Sequence, residues 1–408
     1  MTEQPRPAPA PAIRIAVLVA GIVGLALATC AGVFLAHRSA ARRAVRDGQL
    51  DTASRHFDRC LALWPRSSKL QLEAARVARR TGDLAQAEQR LAAVATRAPR
   101  SPDVQLEQRL LQAQRGEVAN VEFALKDLAA KGHPDAALVR EALAAGYLAS
   151  GRLQEAQALL DEILRQDSRN VPAMLMMGQV STSLQRDAEA LPHLRRAVDV
   201  APGSIAAHLA LAKALMSIGF EREAAGHFEW VRRQRPHDPD VLLGLAVYRA
   251  NAGERPEAAR LLDELLRHHP SHVGGLTERG RLALFESQPA QAEELARRAL
   301  TVAPTDAMAW QVMANALHAQ GNEADAARAL DNHCGFDGAA AQLRYLAGEL
   351  DERPEDPDLL AKVGENYLRL NMAAQAEQAL TRALSIDPNH AAARQLLQQM
   401  RRRGRAVR

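Results

Sequence analysis

The sequence predicts an all-α fold, a solenoid of stacked helical hairpins, and three observations predict it. Two amphipathic helical stretches joined by a short turn recur every 34 or 35 residues along most of the chain. Glycine and proline recur in phase with them, marking turns and helix ends. No stretch shows the alternating apolar and polar spacing of a half-buried strand. By length alone 408 residues could hold two or three globular domains. A repeat array overrides that prior, because each unit buries its apolar face against its neighbours.

The clearest unit runs from Pro357 to His390. Its small residues Gly364, Ala376 and Ala383 let two helix backbones approach, and Leu360, Val363, Tyr367 and Leu380 fill the space beside them. A turn falls at Asn371-Met372. Pro388 closes the second helix, since proline lacks a donor and disfavours helical geometry in the residue before it. Counting Pro357 as position 1, further units begin at Phe34, Ser68, Pro102, Ala137, Val171, Ile205, Pro239, Val273 and Ala307. Position 20 is alanine in every unit but the third, which has Val121, and position 8 is alanine or glycine except at Arg109. Position 15 is Gly48, Gly82, Gly116, Gly151, Gly219, Gly253 and Gly321, where a positive φ is cheap only for glycine. Position 32 is Pro65, Pro99, Pro202, Pro236, Pro270, Pro304 and Pro388.

This phase resembles the tetratricopeptide repeat, a helix-turn-helix unit of about 34 residues. The resemblance covers almost nine-tenths of the chain, from about residue 37 to 390. It implies a right-handed superhelix whose concave side is lined by the first helix of each repeat, helix A, through positions 2, 5, 9 and 12. In the middle of the array, positions 5 and 9 are Leu175 and Gln179, Leu209 and Lys213, Leu243 and Val247, Thr277 and Arg281, and Gln311 and Asn315. The implied partner-binding groove mixes apolar and amide side chains with a few positive charges. Chaperone-binding members of the family clamp a peptide carboxylate with lysine at position 5 and asparagine at position 9 of one repeat. No repeat here has lysine at position 5, and Asn315 alone does not make that clamp.

The ends of the chain differ from the array. Residues 1–12 are rich in proline and alanine and read as a disordered tail. Residues 13–36 read as a transmembrane helix, because Ile15 to Ala36 carries no formal charge and is long enough to cross a hydrocarbon core. Two other readings compete with an uncleaved anchor. Ala26-Leu27-Ala28 could be a signal cleavage motif, and Leu27-Ala28-Thr29-Cys30 faintly resembles a lipoprotein box. The apolar run continues well beyond both, which favours the anchor. A single-pass position in a cell (inner) membrane follows. Arg38, Arg42, Arg43 and Arg46 behind the span favour a cytoplasmic array. A short basic tail before an apolar segment instead favours export, and the sequence leaves the side open.

Residues 341–356 interrupt the spacing before the last repeat and read as an extension of the preceding second helix, broken near Gly335-Phe336-Asp337-Gly338, with a bend or docking feature as the alternative. Ala391 to Met400 forms an amphipathic helix suited to cap the final hairpin, and a basic tail follows to residue 408.

Composition and motifs argue against chemistry. Aromatics are 3% and the net charge of +4 is matched by the five arginines Arg401, Arg402, Arg403, Arg405 and Arg408, so no nucleic-acid footprint is expected. Cys30, Cys60 and Cys334 share no metal or redox spacing. Cys60 falls at position 27, a packing site, and reads as a small buried hydrophobe. His268, His269 and His272 flank Pro270 and read as solvated turn histidines rather than a metal site. Asp161-Glu162 and Asp263-Glu264 read as intrahelical pairing residues, Asp161 with Arg165 and Glu264 with His268. No catalytic residue, cofactor, metal or small-molecule substrate is expected. The expected role is a membrane-anchored scaffold binding proteins or peptides. An alternative is an assembly or trafficking factor for envelope polymers, such as lipopolysaccharide or exopolysaccharide, that recruits an enzyme.

Overall fold

A computed structural model of the protein describes residues 11–406, with side chains over residues 28–400 apart from 344, 348, 351 and 352. The described regular elements are all α-helices. The first hairpin joins α1 (Pro11–Arg46) to α2 (Leu50–Leu63), and the second α3 (Ser68–Arg80) to α4 (Leu84–Ala95). Then follow α5 (Pro102–Gln114) with α6 (Val118–Ala130), α7 (Ala136–Ala149) with α8 (Leu153–Gln166), and α9 (Val171–Ser183) with α10 (Asp187–Val200). The sixth to eighth hairpins are α11 (Ile205–Ser217) with α12 (Glu221–Arg232), α13 (Pro239–Asn251) with α14 (Arg255–His268), and α15 (Val273–Phe285) with α16 (Pro289–Val302). The last two are α17 (Ala307–Ala319) with α18 (Glu323–Glu352), and α19 (Pro357–Arg369) with α20 (Ala373–Ile386), before the terminal α21 (Ala391–Ala406). Two compact units emerge. Unit one holds the chain up to Val180 with Pro192–Ala207; unit two holds Ser181–Leu191 and the chain from His208 onward.

Turn chemistry explains the hairpins. All seven glycines at position 15 have φ between 71° and 88°. The three repeats without glycine there make the same turn, with Gln185, Ser287 and Asn371 at φ 57–59°. Helix starts are equally regular: Ser67, Asp83, Asp238, Asp306 and Asp356 each cap a helix through the side-chain oxygen.

Packing follows the small-residue phase. Ala53, Ala87, Ala156, Ala190, Ala224, Ala258, Ala292 and Ala376 at position 20 are completely buried. At position 8, a Cβ added to Gly178 or Gly364 would lie 2.6 Å from Leu194 or Leu380, so the helices there are too close for a larger residue. The third repeat is the exception. Arg109 is exposed, and its neighbour Leu110 takes the buried place, so α5 is rotated relative to the other A helices. Cys60 is completely buried, and burial pushes its thiol pKa up.

Helix α18 departs from expectation. It runs unbroken from Glu323 to Glu352, through Gly335 and Gly338. A side chain at either glycine would meet nothing within 4 Å. Glycine weakens a helix by about 1 kcal/mol without forbidding it, and two such residues do not outweigh the contacts on either side. The later part of α18 packs through Leu343, Leu346 and Leu350 against Leu359, Val363 and Tyr367. It therefore serves the last repeat as the preceding helix against which α19 packs. Beyond that repeat, α21 covers Leu360, Leu380 and Ala383 with Ala393 and Leu397.

At the other end, α1 continues without a break into helix A of the first repeat. Among the described residues no helix is long and apolar enough to cross a membrane. The span read from Ile15 to Ala36 falls mostly on residues up to 27, whose side chains lie outside those described.

Candidate partner-binding surface

In unit two the A helices bring positions 5 and 9 of successive repeats onto neighbouring elements. Leu209, Leu243 and Val247 are half-buried, neither sealed in the core nor free in solvent. Part of the burial of Leu243 comes from the next A helix, where a Cβ on Gly274 would lie 3.0 Å from its Cδ2. Lys213 is exposed, and its Nζ lies 2.8 Å from Asp240 Oδ2 at the start of α13. Thr277 lies in the core rather than on the open face, and its buried hydroxyl has no hydrogen-bond partner. Arg281 pairs with Glu278 at 2.8 Å. Gln311 is half-buried and Asn315 exposed on α17.

Phe285, not picked out from the sequence, belongs with these residues. It ends α15 with 56% of its surface exposed, between Arg255 and Arg281, whose guanidinium carbons lie 4.7 and 6.0 Å from its ring centroid. An aromatic at the end of an A helix, where no core position requires one, is the signal that identifies it.

Unit one carries Leu175, half-buried, and Gln179, exposed, on α9. Its earlier A helices are different in kind. Arg79 Nε donates to Glu107 Oε2 at 3.0 Å with both side chains buried, and Arg76 Nε lies 2.8 Å from the other carboxylate oxygen. Arg80 donates twice to Glu141, at 2.8 and 3.0 Å, two repeats along the chain. Arg76 also lies 3.5 Å from Asp135. Helices α3, α5 and α7 are thus tied by their own charges, and Arg76 and Glu141 occupy the positions 9 and 5 that would otherwise face a ligand. Reading those positions in the early repeats as well as the central ones would have revealed the cluster.

A second charged clamp joins the third and fourth repeats. Glu122 accepts from Arg152 at 2.7 and 3.2 Å, from Lys126 at 2.6 Å and from the Tyr147 hydroxyl at 2.8 Å. The Arg152 hydrogen bonds chiefly, with those of Lys126 and Tyr147, hold its carboxyl pKa down to about 2 against the opposing effect of burial. Arg152 also stacks over the Tyr147 ring at 4.3 Å.

The turn histidines are engaged with their surroundings. His268 stacks on His237 at 3.9 Å, and His269 Nε2 meets the His237 carbonyl at 3.1 Å. His272 caps α15, its Nδ1 accepting from the Gly275 amide at 3.0 Å. Burial depresses its pKa, so the imidazole is held in the neutral form the cap requires. Glu264 does not pair with His268. It meets Arg232 and His237, at 3.4 and 3.2 Å, because the preceding repeat lies within reach of its side chain. Arg165 likewise donates to the Asp161 carbonyl rather than its carboxylate. Two further histidine pairs occupy positions 4 and 23 of their repeats: His37 with His56, and His208 with His227, each with Nδ1 atoms 2.9 Å apart. Among the described residues no group of three or more histidine, cysteine, aspartate or glutamate side chains is placed to hold a metal ion.

No curated protein matches the chain. The crystal structure of the Cut9–Hcn1 hetero-tetramer of the APC/C is similar at 18% identity and a TM-score of 0.43, over 86% of this chain and 59% of that one. This chain therefore spans less than two-thirds of that relative. A tetratricopeptide repeat protein from Parabacteroides merdae is 15% identical with a TM-score of 0.40, over 63% of this chain and 95% of that one. YrrB, described as a TPR protein with an unusual peptide-binding site, is 19% identical with a TM-score of 0.39, over 48% of this chain and 98% of its own. Family models of the tetratricopeptide repeat match residues 44–115, 141–205, 209–273 and 357–390, more than half of the sequence, and the chain belongs to the tetratricopeptide repeat proteins.

Proposed function

We propose that this chain is a membrane-anchored scaffold that captures protein or peptide partners on the A-helix surface of its central repeats. The observation that carries the reading is the recurrence of half-buried Leu209, Leu243 and Val247 at positions 5 and 9 of unit two, with Phe285 exposed nearby in sequence order. The contacts between helices A and B are made at other positions, such as Ala246 and Ala258, which are buried. Apolar side chains left partly open on a regular surface are what a partner covers. Lys213, Arg281, Gln311 and Asn315 supply the polar contacts that fix its register. Leu175 and Gln179 present the same kind of chemistry on unit one. The ion pairs of α3, α5 and α7 turn the early repeats toward internal support.

The membrane reading rests on the uncharged run from Ile15 to Ala36. A partner captured by this protein is held beside the bilayer, and the surface works by raising local concentration rather than by catalysis.

The test is partner capture from the protein's own membranes by the wild type and by a Leu209→Asn/Leu243→Asn variant, with partners identified by mass spectrometry. The variant should lose a reproducible partner while its melting temperature stays close to that of the wild type. A large fall in melting temperature would show that these leucines are core, and the capture reading would fail.

A further inference from the structure

Four exposed large apolar side chains gather at one end of the first hairpin. Val33 and Leu35 on α1, with Leu63 and Trp64 at the end of α2, are between 38% and 61% exposed. The two helices run antiparallel, as the contacts of Phe34 with Cys60 and Trp64, of His37 with His56, and of Ala44 with Gln49 require. The C-terminal end of α2 therefore lies beside the last turn of the apolar run. Trp64 marks the level: its ring centroid is 4.7 Å from that of Phe34, two residues before the run ends at Ala36.

The charge at this edge is one-sided. The turn after α2 carries Arg66, with Lys69 in the first turn of α3, and the turn after α4 carries Arg97 and Arg100, all exposed. No acidic residue lies between Leu63 and Lys69 or between Thr96 and Arg100. Arg97 Nη1 donates to the Arg66 carbonyl at 2.8 Å, so the two turns adjoin. The turns at the opposite ends of the same helices carry Asp47 and Asp83. One edge of the first two repeats is thus apolar and basic, whereas at the other Arg46 and Arg80 stand close to Asp47 and Asp83 in the chain.

We propose that this edge lies on the anionic surface of the bilayer, with Trp64 and Leu63 at the level of the lipid carbonyls and Arg66, Lys69, Arg97 and Arg100 among the headgroup phosphates. The inference rests on the anchor reading given above. Tryptophan favours this interfacial level because its ring is apolar and its N–H is a donor. Lysine and arginine beside it are drawn to the negative surface potential of the leaflet. The unbroken α1 delivers the patch to that depth, because helix A of the first repeat is the continuation of the anchor. Lipid is therefore the occupant with a direct route to these side chains. On this assignment the first repeats are laid against the membrane rather than tethered at a distance from it.

The experiment uses the full chain with Trp230→Phe and Trp310→Phe, leaving Trp64 as the single tryptophan, in phosphatidylcholine vesicles with and without phosphatidylglycerol. Flotation reports the anchor. Emission of Trp64 and its quenching by lipids brominated high on the acyl chain report the edge. The expected result is flotation, a shift of emission to shorter wavelength, and quenching that is stronger in anionic vesicles. Lys69→Gln with Arg100→Gln should remove that preference for anionic lipid; an unchanged preference would overturn the assignment of the basic turns. Flotation without quenching would overturn the proposal and leave the anchor standing, as it would if another protein covered the patch. Failure to float would overturn both. If the double phenylalanine variant does not fold, the loss of quenching between the wild type and Trp64→Phe decides the same question.

Discussion

Arg79 and Glu107 form an ion pair at 3.0 Å between two helices, with both side chains buried. Glu107 also meets Arg76 at 2.8 Å, so it is the shared centre of the cluster. Removing the centre leaves the buried Arg79 without its acidic partner, although Arg76 keeps Asp135, whereas removing Arg79 leaves Glu107 with Arg76. Glu107→Leu should therefore cost about 3–5 kcal/mol, and Arg79→Leu clearly less. Chemical denaturation of the two variants measures the difference; equal losses would mean that Arg76 does not share the carboxylate.

Gln185 and Ser287 hold a left-handed turn conformation at φ 59° and 58°. Side chains with a Cβ are strained there, and glycine is not. Gln185→Gly and Ser287→Gly should each raise stability by about 1 kcal/mol, with a smaller gain for Asn371→Gly because asparagine tolerates this region better. A fall in melting temperature in either of the first two variants would contradict the account of the turn.

Ala258 is completely buried where α14 crosses α13. A leucine there must displace backbone or side chains, at a cost of about 1–3 kcal/mol. Neighbouring repeats stabilise one another, so Ala258→Leu should also broaden or split the unfolding transition. Calorimetry that returned the wild-type profile would show that the two helices stand further apart than described.

Glu122 gives a pH signature. Its carboxyl pKa is near 2 in the folded protein against an ordinary 4.5, so the unfolded chain binds the proton more readily. The stabilisation is fully present above the ordinary value and is lost as pH falls toward the folded one. The melting-temperature gap between the wild type and Glu122→Gln should be widest near neutral pH and narrow through this acidic window. A gap independent of pH would place the stabilisation in packing rather than charge.

Much of the fold is legible in the sequence because the repeat imposes the same local demand many times. Gly48 or Ala53 alone would say little; their recurrence at positions 15 and 20 locates each hairpin. Single departures are harder to read. Leu110 replaces Arg109 in the core because α5 is rotated, and a fixed count from Pro102 cannot register rotation. Gly335 and Gly338 look like a break, yet they face open space within a helix held at both ends. The candidate surface was legible as positions 5 and 9, but not as exposure. Thr277 proved buried and Phe285 open, since neighbouring helices decide what a periodic pattern leaves uncovered.

The unbroken α18 also changes how the C-terminal end comes apart. Peeled by force from its C-terminal end, an ordinary array releases one hairpin at a time, because each turn interrupts the transmission of strain. Here no turn separates the second helix of the ninth repeat from the support beneath the tenth. Extension of the final hairpin therefore loads α17 through a single continuous rod, and the two repeats yield together as one larger step.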